Sequence, residues 1–113
     1  MKAIIDGLRY DTDKADRVGE ITGNAKRDDV GDDALYEWKE SLWMTPAGRF
    51  FLCGEGSGKT RWFRVAPPGN TKVVGDREVR WAIRALPEAE AQAWVEKYCS
   101  AQVYEQLWDV EDA

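Results

Sequence analysis

ALYEWKESLWMTPAGRFFLC, residues 34–53, joins two runs rich in aromatic and aliphatic residues through a short turn. Pro46 presets a backbone angle that suits a turn, and Gly48 adopts conformations that other residues avoid. Because β-favouring residues flank the turn, the pattern predicts a β-hairpin. Four large side chains on the first strand share one parity and therefore one face: Tyr36, Trp38, Leu42 and Met44. That apolar face needs cover, and we expect the rest of the chain to provide it.

The chain before this hairpin contains signals for three further elements. The Asp-Gly pair at residues 6–7 lies between two short apolar runs and favours a type I′ turn, which predicts a small opening hairpin. The pattern of residues 12–21 predicts a short helix that is capped by Asp11 or Thr12. Residues 24–33, NAKRDDVGDD, contain almost nothing to bury and predict a surface loop.

After the central hairpin, glycine, proline and alternation signals divide the chain. Residues 54–60, GEGSGKT, predict a glycine-rich turn, and residues 61–65, RWFRV, predict a strand. Residues 66–76 predict an irregular connection, because two adjacent prolines exclude a helix or a central strand. From residue 79 to 84 large apolar residues alternate with arginine or alanine, which predicts a half-buried strand with a basic outer face.

Two helices are predicted at the carboxyl end. Pro87 suits the first turn of a helix, and apolar residues then recur at helical spacing: Ala91, Trp94, Val95, Tyr98 and Cys99. Ser100 can cap a second, shorter helix. Together the elements predict a single α+β domain over residues 1–113, an antiparallel meander of four to six strands with helices packed on one face, in two layers. The expected core tryptophans are Trp38, Trp81 and Trp94.

Composition excludes several classes of function. The chain has no histidine, the commonest general base and metal ligand, and its two cysteines are too few for a thiolate zinc site. We therefore expect no enzyme, no metal, no cofactor and no small-molecule substrate. No apolar run approaches the roughly 20 residues that span a bilayer, so we expect no membrane contact and a cytoplasmic location.

The segment at residues 54–60 imitates a phosphate-binding loop without meeting its requirements. That motif reads G-x-x-x-x-G-K-[ST], and Cys53 stands where the first glycine belongs. The residues that follow favour a strand, whereas a phosphate-binding loop opens a helix. We therefore interpret the segment as a connection.

Charge is unevenly distributed along the chain. Residues 1–40 carry 7 basic and 11 acidic residues, residues 41–86 carry 8 and 3, and residues 87–113 carry 1 and 7. In DDVGDD four carboxylates lie within six residues, a density close to that of phosphates along a DNA strand. One hypothesis is therefore a protein that imitates nucleic acid. Another is direct nucleic-acid binding by a basic sheet face with Arg61, Arg64, Arg80 and Arg84, for which an exposed Trp62 would be required.

Three stretches carry a family resemblance. They are KAIIDGLRYDTDKA at residues 2–15, LWMT and GRFFLCGEG at residues 42–45 and 48–56, and IRALPEAEAQAW at residues 83–94. The chain resembles a family of small proteins encoded by phages and other mobile elements, some of which are anti-CRISPR proteins. The segment SGKTRWFRV is more basic here than the family pattern, which contains no catalytic residue.

The resemblance implies a stoichiometric inhibitor that occupies a surface of a host protein complex, here a CRISPR–Cas effector in the cytoplasm of the host cell. Together with the acidic clustering, it predicts a DNA-mimicking surface that blocks DNA binding. The expected partner-binding residues are Asp28, Asp29, Asp32, Asp33, Glu37 and Glu40, extended by Asp13, Asp16 and Glu20 of the predicted first helix. The alternative remains a nucleic-acid-binding accessory protein.

Overall fold

A computed structural model describes residues 1–26, 35–58 and 60–113. Within these ranges the chain forms strands and three short helices. In chain order they are β1 (Lys2–Ile5), β2 (Leu8–Asp11), β3 (Asp16–Lys26), β4 (Leu35–Met44), β5 (Phe50–Ser57), α1 (Arg61–Val65), β6 (Thr71–Val74), β7 (Arg77–Leu86), α2 (Glu88–Tyr98) and α3 (Ala101–Leu107).

The strands form one antiparallel sheet of five, in the order β3-β4-β5-β7-β6, and a separate β1–β2 hairpin. The predicted α+β class is confirmed. After β5 the connectivity departs from a simple meander, because α1 carries the chain to β6 at the sheet edge before β7 returns beside β5. The helices pack on one face of the sheet, hereafter the helix face. The β1–β2 hairpin adds cover on the other face, where Tyr10 meets Phe51 edge to face at 5.5 Å.

Both predicted hairpins are confirmed. β4 pairs with β5 so that Leu42 lies opposite Leu52, and the turn closes with the Gly48 N–H donating to the Thr45 carbonyl at 2.9 Å. In the opening hairpin Asp6 and Gly7 have φ of 51° and 78°. These two positive values are what a type I′ turn requires and what an Asp-Gly pair tolerates.

The helix predicted for residues 12–21 is wrong, because these residues lead into and form β3. Asp11 closes a turn by accepting from the Asp13 N–H at 2.9 Å and caps no helix. β3 pairs with β4 along its length, so pairing with a distant strand overrides weak helical periodicity. β3 includes residues 24–26, which were predicted to belong to a surface loop. The remainder of that loop lies outside the described residues.

Two further assignments change around residues 54–65. β5 continues through Ser57 where a turn was predicted, and Arg61–Val65 form a helix where a strand was predicted. The reason is Trp62, whose ring lies directly over Gly54, where a Cβ would fall 1.8 Å from a ring carbon. Thr60 caps the helix by accepting from the Phe63 N–H at 3.3 Å. The segment therefore returns to the sheet and buries Trp62 to 3% exposure.

The carboxyl half of the chain contains one strand that the sequence did not predict. In a second strand the buried face is opposite to the predicted one. Thr71–Val74, assigned to an irregular connection, pairs with β7 as an edge strand. β7 is confirmed as a strand, but Ala82 and Leu86 are its buried residues and belong to the core under the helices. Trp81 is half-buried on the opposite face.

The core tryptophans are Trp62 and Trp94, whereas Trp38 and Trp81 are only half-buried. α2 and α3 are confirmed, with Ser100 capping α3 by accepting from the Val103 N–H at 3.3 Å. None of the helices formed by the described residues has the length and apolar character that a bilayer-spanning helix needs.

A buried carboxylate joins the sheet to two helices. Glu40 projects from β4 on the helix face and is 7% exposed. Its Oε1 accepts from Trp94 Nε1 of α2 at 2.8 Å, and its Oε2 accepts from Trp62 Nε1 of α1 at 3.0 Å and from Arg61 at 2.9 Å. The indole N–H can only donate, so a buried tryptophan needs such an acceptor. The carboxylate of Glu40 supplies an acceptor oxygen to each of the two tryptophans.

We expect Glu40→Ala to lower the free energy of unfolding by about 3 kcal/mol, because it leaves buried donors without an acceptor. Glu37→Ala removes an exposed glutamate from the same strand and should change stability by less than about 0.5 kcal/mol. Urea unfolding followed by tryptophan fluorescence measures both. Equal midpoints for the two variants would contradict the structural role of Glu40.

We expect Gly54→Ala to destabilise the protein by about 3 kcal/mol, because the added methyl group overlaps the Trp62 ring, which is buried and hydrogen-bonded to Glu40. Gly69→Ala is the matched control, since no atom lies within 4 Å of a Cβ built there. Thermal unfolding by circular dichroism compares the two. A wild-type melting temperature for Gly54→Ala would show that Trp62 does not pack as described.

Candidate partner-binding surface

Four of the residues predicted to bind a partner, Asp28, Asp29, Asp32 and Asp33, lie outside the described residues. The structure therefore bears on the other five. Glu37 is exposed on β4, as a surface residue must be. The prediction that Glu40 binds a partner needs correction, because its carboxylate is buried and accepts hydrogen bonds from Trp62, Trp94 and Arg61. It is a structural residue and presents no charge to a partner.

Asp13, Asp16 and Glu20 lie on or just before β3, an edge strand of the sheet, and not on a helix. Asp13 and Asp16 are exposed and form no ion pair with a described residue. Asp16 lies opposite Met44, whose side chain packs against the core, so its side chain projects on the helix face. Glu20 pairs with Arg17 at 3.0 Å, which reduces the charge it can offer.

A second acidic region lies on and beyond the two carboxyl-terminal helices. We define the C-terminal acidic surface by five exposed carboxylates that form no ion pair with a described residue: Glu96, Glu105, Asp109, Glu111 and Asp112. Glu88 is engaged instead, because it accepts from Trp108 Nε1 at 3.1 Å, and Glu90 lies 3.7 Å from Arg84. The charge count of residues 87–113 indicates this acidic region in the sequence, but the predicted site does not include it.

Three of the four arginines of the predicted basic sheet face have a carboxylate neighbour. Arg80 and Arg84 project from β7 on the helix face, where Arg80 stacks over the Phe63 ring at 4.4 Å and pairs with Glu78 at 3.2 Å. Arg61 bonds to Glu40 and Arg84 lies near Glu90. Arg64 is exposed on α1. Trp62 is buried, so it fails the condition set for base stacking.

On the opposite face a charged cluster occupies the middle of the sheet. Glu55 of β5 lies 3.0 Å from Lys39 and 2.6 Å from Lys72. Burial favours a higher pKa for Glu55, but the hydrogen bonds from Lys72 and Lys39 outweigh it and hold the pKa below its usual value. The hydrogen bond to Glu55 raises the pKa of Lys39 in turn. The side chains of Lys39, Glu55 and Lys72 border a cleft of about 800 Å³.

The described residues offer little for covalent or metal chemistry. Burial raises the pKa of the Cys53 thiol to about 11, so the thiolate needed for nucleophilic attack is scarce at neutral pH. Burial also raises the pKa of Cys99. Within residues 1–26, 35–58 and 60–113, no group of three or more acidic or cysteine side chains is arranged to hold a metal ion.

No family model, no curated protein and no solved structure matches this chain.

We expect Glu55→Gln to lower the free energy of unfolding at neutral pH by about 1 kcal/mol, a value suited to a partly exposed ion-pair network. Because the folded-state pKa of Glu55 is depressed, its contribution is present above the unfolded-state pKa of 4.5 and is lost as the pH falls through the folded-state pKa. The difference from wild type should therefore shrink in acid.

Urea unfolding at a series of pH values measures this effect. Glu90→Gln is the control, because Glu90 is exposed and lies 3.7 Å from Arg84. A difference between Glu55→Gln and wild type that stays constant from neutral pH down to strong acid would contradict the assignment.

Proposed function

We propose that this protein is a stoichiometric, non-catalytic inhibitor that binds a positively charged, nucleic-acid-binding surface of a host complex. The family resemblance in its sequence points to a CRISPR–Cas effector in the host cytoplasm as that complex. The inhibitor would compete with DNA by presenting carboxylates where the effector binds phosphates. Such a role requires a stable scaffold and a surface charge, and no cofactor.

One observation carries the proposal: five basic side chains on or near the sheet have a carboxylate neighbour, whereas the carboxylates of the C-terminal acidic surface have no basic neighbour within ion-pair distance among the described residues. Arg61, Arg80 and Arg84 each lie within ion-pair distance of a carboxylate, and Lys39 and Lys72 share Glu55. The five carboxylates of the C-terminal acidic surface face solvent without an ion-pair partner among the described residues. These carboxylates and the net charge of −5 favour attraction to a positively charged partner.

This distribution of charge is complementary to a positively charged groove on a partner protein. Proteins that bind DNA line their grooves with lysine and arginine, and an acidic surface of complementary shape is attracted to the same groove. Asp13, Asp16 and Glu37 are exposed and stay in the proposed contact set. Asp28, Asp29, Asp32 and Asp33 remain part of the proposal on sequence grounds. Glu40 is withdrawn from it because it is buried.

The alternative, a nucleic-acid-binding accessory protein, has less support. Three of its four arginines have carboxylate neighbours, and Trp62 is not available to stack on a base. The overall negative charge also repels phosphates at long range.

The test is a DNA-binding assay on purified CRISPR–Cas effectors, single-protein and multi-subunit, each loaded with guide RNA. We expect this protein, titrated against one of them, to abolish binding of labelled target DNA at about one molecule per effector. Competition should weaken as salt is added, because screening reduces charge attraction. A variant with Asp28, Asp29, Asp32 and Asp33 changed to Asn should compete less well.

Two outcomes would overturn the proposal. The first is unchanged DNA binding by every effector in the presence of excess protein. The second is a direct shift of labelled DNA by this protein alone at low salt, which would favour the nucleic-acid-binding alternative.

A further inference from the structure

A groove lies at the elbow between α2 and α3. It has a volume of about 320 Å³, at the lower end of the roughly 300–1,000 Å³ of small-ligand sites. Its lining is mainly apolar, with one carboxylate: Glu96, Cys99, Ser100, Ala101, Tyr104 and Val110. A groove of this size suits one or two side chains of a larger partner.

The elbow is held in place from both sides. α2 ends with the Cys99 N–H donating to the Val95 carbonyl at 2.8 Å, and α3 begins with the Ser100 hydroxyl accepting from the Val103 N–H. Cys99 also packs against β3, where a Cβ built on Gly19 would lie 2.8 Å from Sγ. The groove is therefore a fixed feature of the fold, beside the edge strand that carries Asp16.

Two apolar side chains remain exposed at this end of the molecule. Val110 lines the groove and is 57% exposed, and Tyr98, the last residue of α2, is 43% exposed. The C-terminal acidic surface surrounds them in sequence, and Lys97, the only cation of residues 87–113, lies over the Tyr98 ring at 5.0 Å. The apolar lining is thus combined with an acidic rim, which consists of Glu96 in the groove and of Asp109 and Glu111, the residues that flank Val110 in sequence.

We infer that this groove docks a lysine- and arginine-rich segment of a partner protein that inserts an aliphatic or aromatic side chain between α2 and α3. This inference rests on the proposed function and names the surface and the partner chemistry that would serve it. The charge of the rim argues for this occupant. A second copy of the acidic chain or an anionic membrane would meet repulsion at the same rim.

The probe is a short fluorescent peptide of lysine, arginine and leucine, titrated at low salt and followed by fluorescence anisotropy. A matched peptide with serine in place of leucine should bind about fivefold more weakly, because the groove then receives no apolar side chain. Amide resonances of residues 96–110 should shift when the leucine peptide binds.

Paired variants separate a defined site from general attraction. Glu96→Gln with Glu111→Gln should weaken peptide binding about fivefold, whereas Asp6→Asn with Asp76→Asn, which removes the same charge from two hairpin turns, should not. Val110→Ser should remove the preference for the leucine peptide, and Val73→Ser, at another exposed valine, should retain it.

Equal weakening by the two charge variants, equal binding of the two peptides, or no binding at all would each overturn the inference. The outcome is separable from that of the proposed function. Peptide binding at the groove without competition at any effector would refute the proposed function alone. Competition that survives Glu96→Gln, Glu111→Gln and Val110→Ser together would refute the groove alone.

Discussion

The fold depends on one carboxylate that is buried, a position in which glutamate is rare. Glu40 lies between the sheet and the helix layer and accepts hydrogen bonds from α1 and α2 at once. A buried carboxylate is costly unless its oxygens are fully engaged, and here both are. The arrangement fixes the positions of Trp62 and Trp94 relative to β4.

Glycines make this arrangement possible. β5 is buried on both faces, and Gly54, opposite Glu40 in the register, leaves room for the Trp62 ring. Gly56 does the same for the Thr60 side chain. A segment that resembles a phosphate-binding loop therefore serves packing, because its glycines accept side chains from the turn and helix that follow. The missing Cβ atoms explain the unusual composition without any nucleotide.

The same packing separates the two signs of charge. Arginines of α1 and β7 lie near carboxylates or aromatic rings on the helix face, and the lysines of β4 and β6 share Glu55 on the opposite face. At the carboxyl end Glu90 lies near Arg84, and the five carboxylates of the C-terminal acidic surface form no ion pair with a described residue. Several charges of opposite sign are thus paired around the sheet, whereas the part of the chain beyond α2 is acidic. This distribution is the basis of the proposed role in binding a positively charged surface.

Local signals were sufficient where structure depends on neighbours in the chain: the Asp-Gly turn, the Pro46 turn, the strand character of β7, the start of α2 after Pro87, and the Ser100 cap of α3. They also indicated the charge imbalance that motivates the proposed function. They failed for β3, α1 and Glu40, because each of these is determined by residues far along the chain. β3 is a strand because β4 pairs with it, Trp62 turns inward because Gly54 admits it, and Glu40 is buried because Trp94, 54 residues away, donates to it. Long-range packing alone decided which carboxylates face solvent, since exposure depends on what covers a side chain and not on the residues beside it.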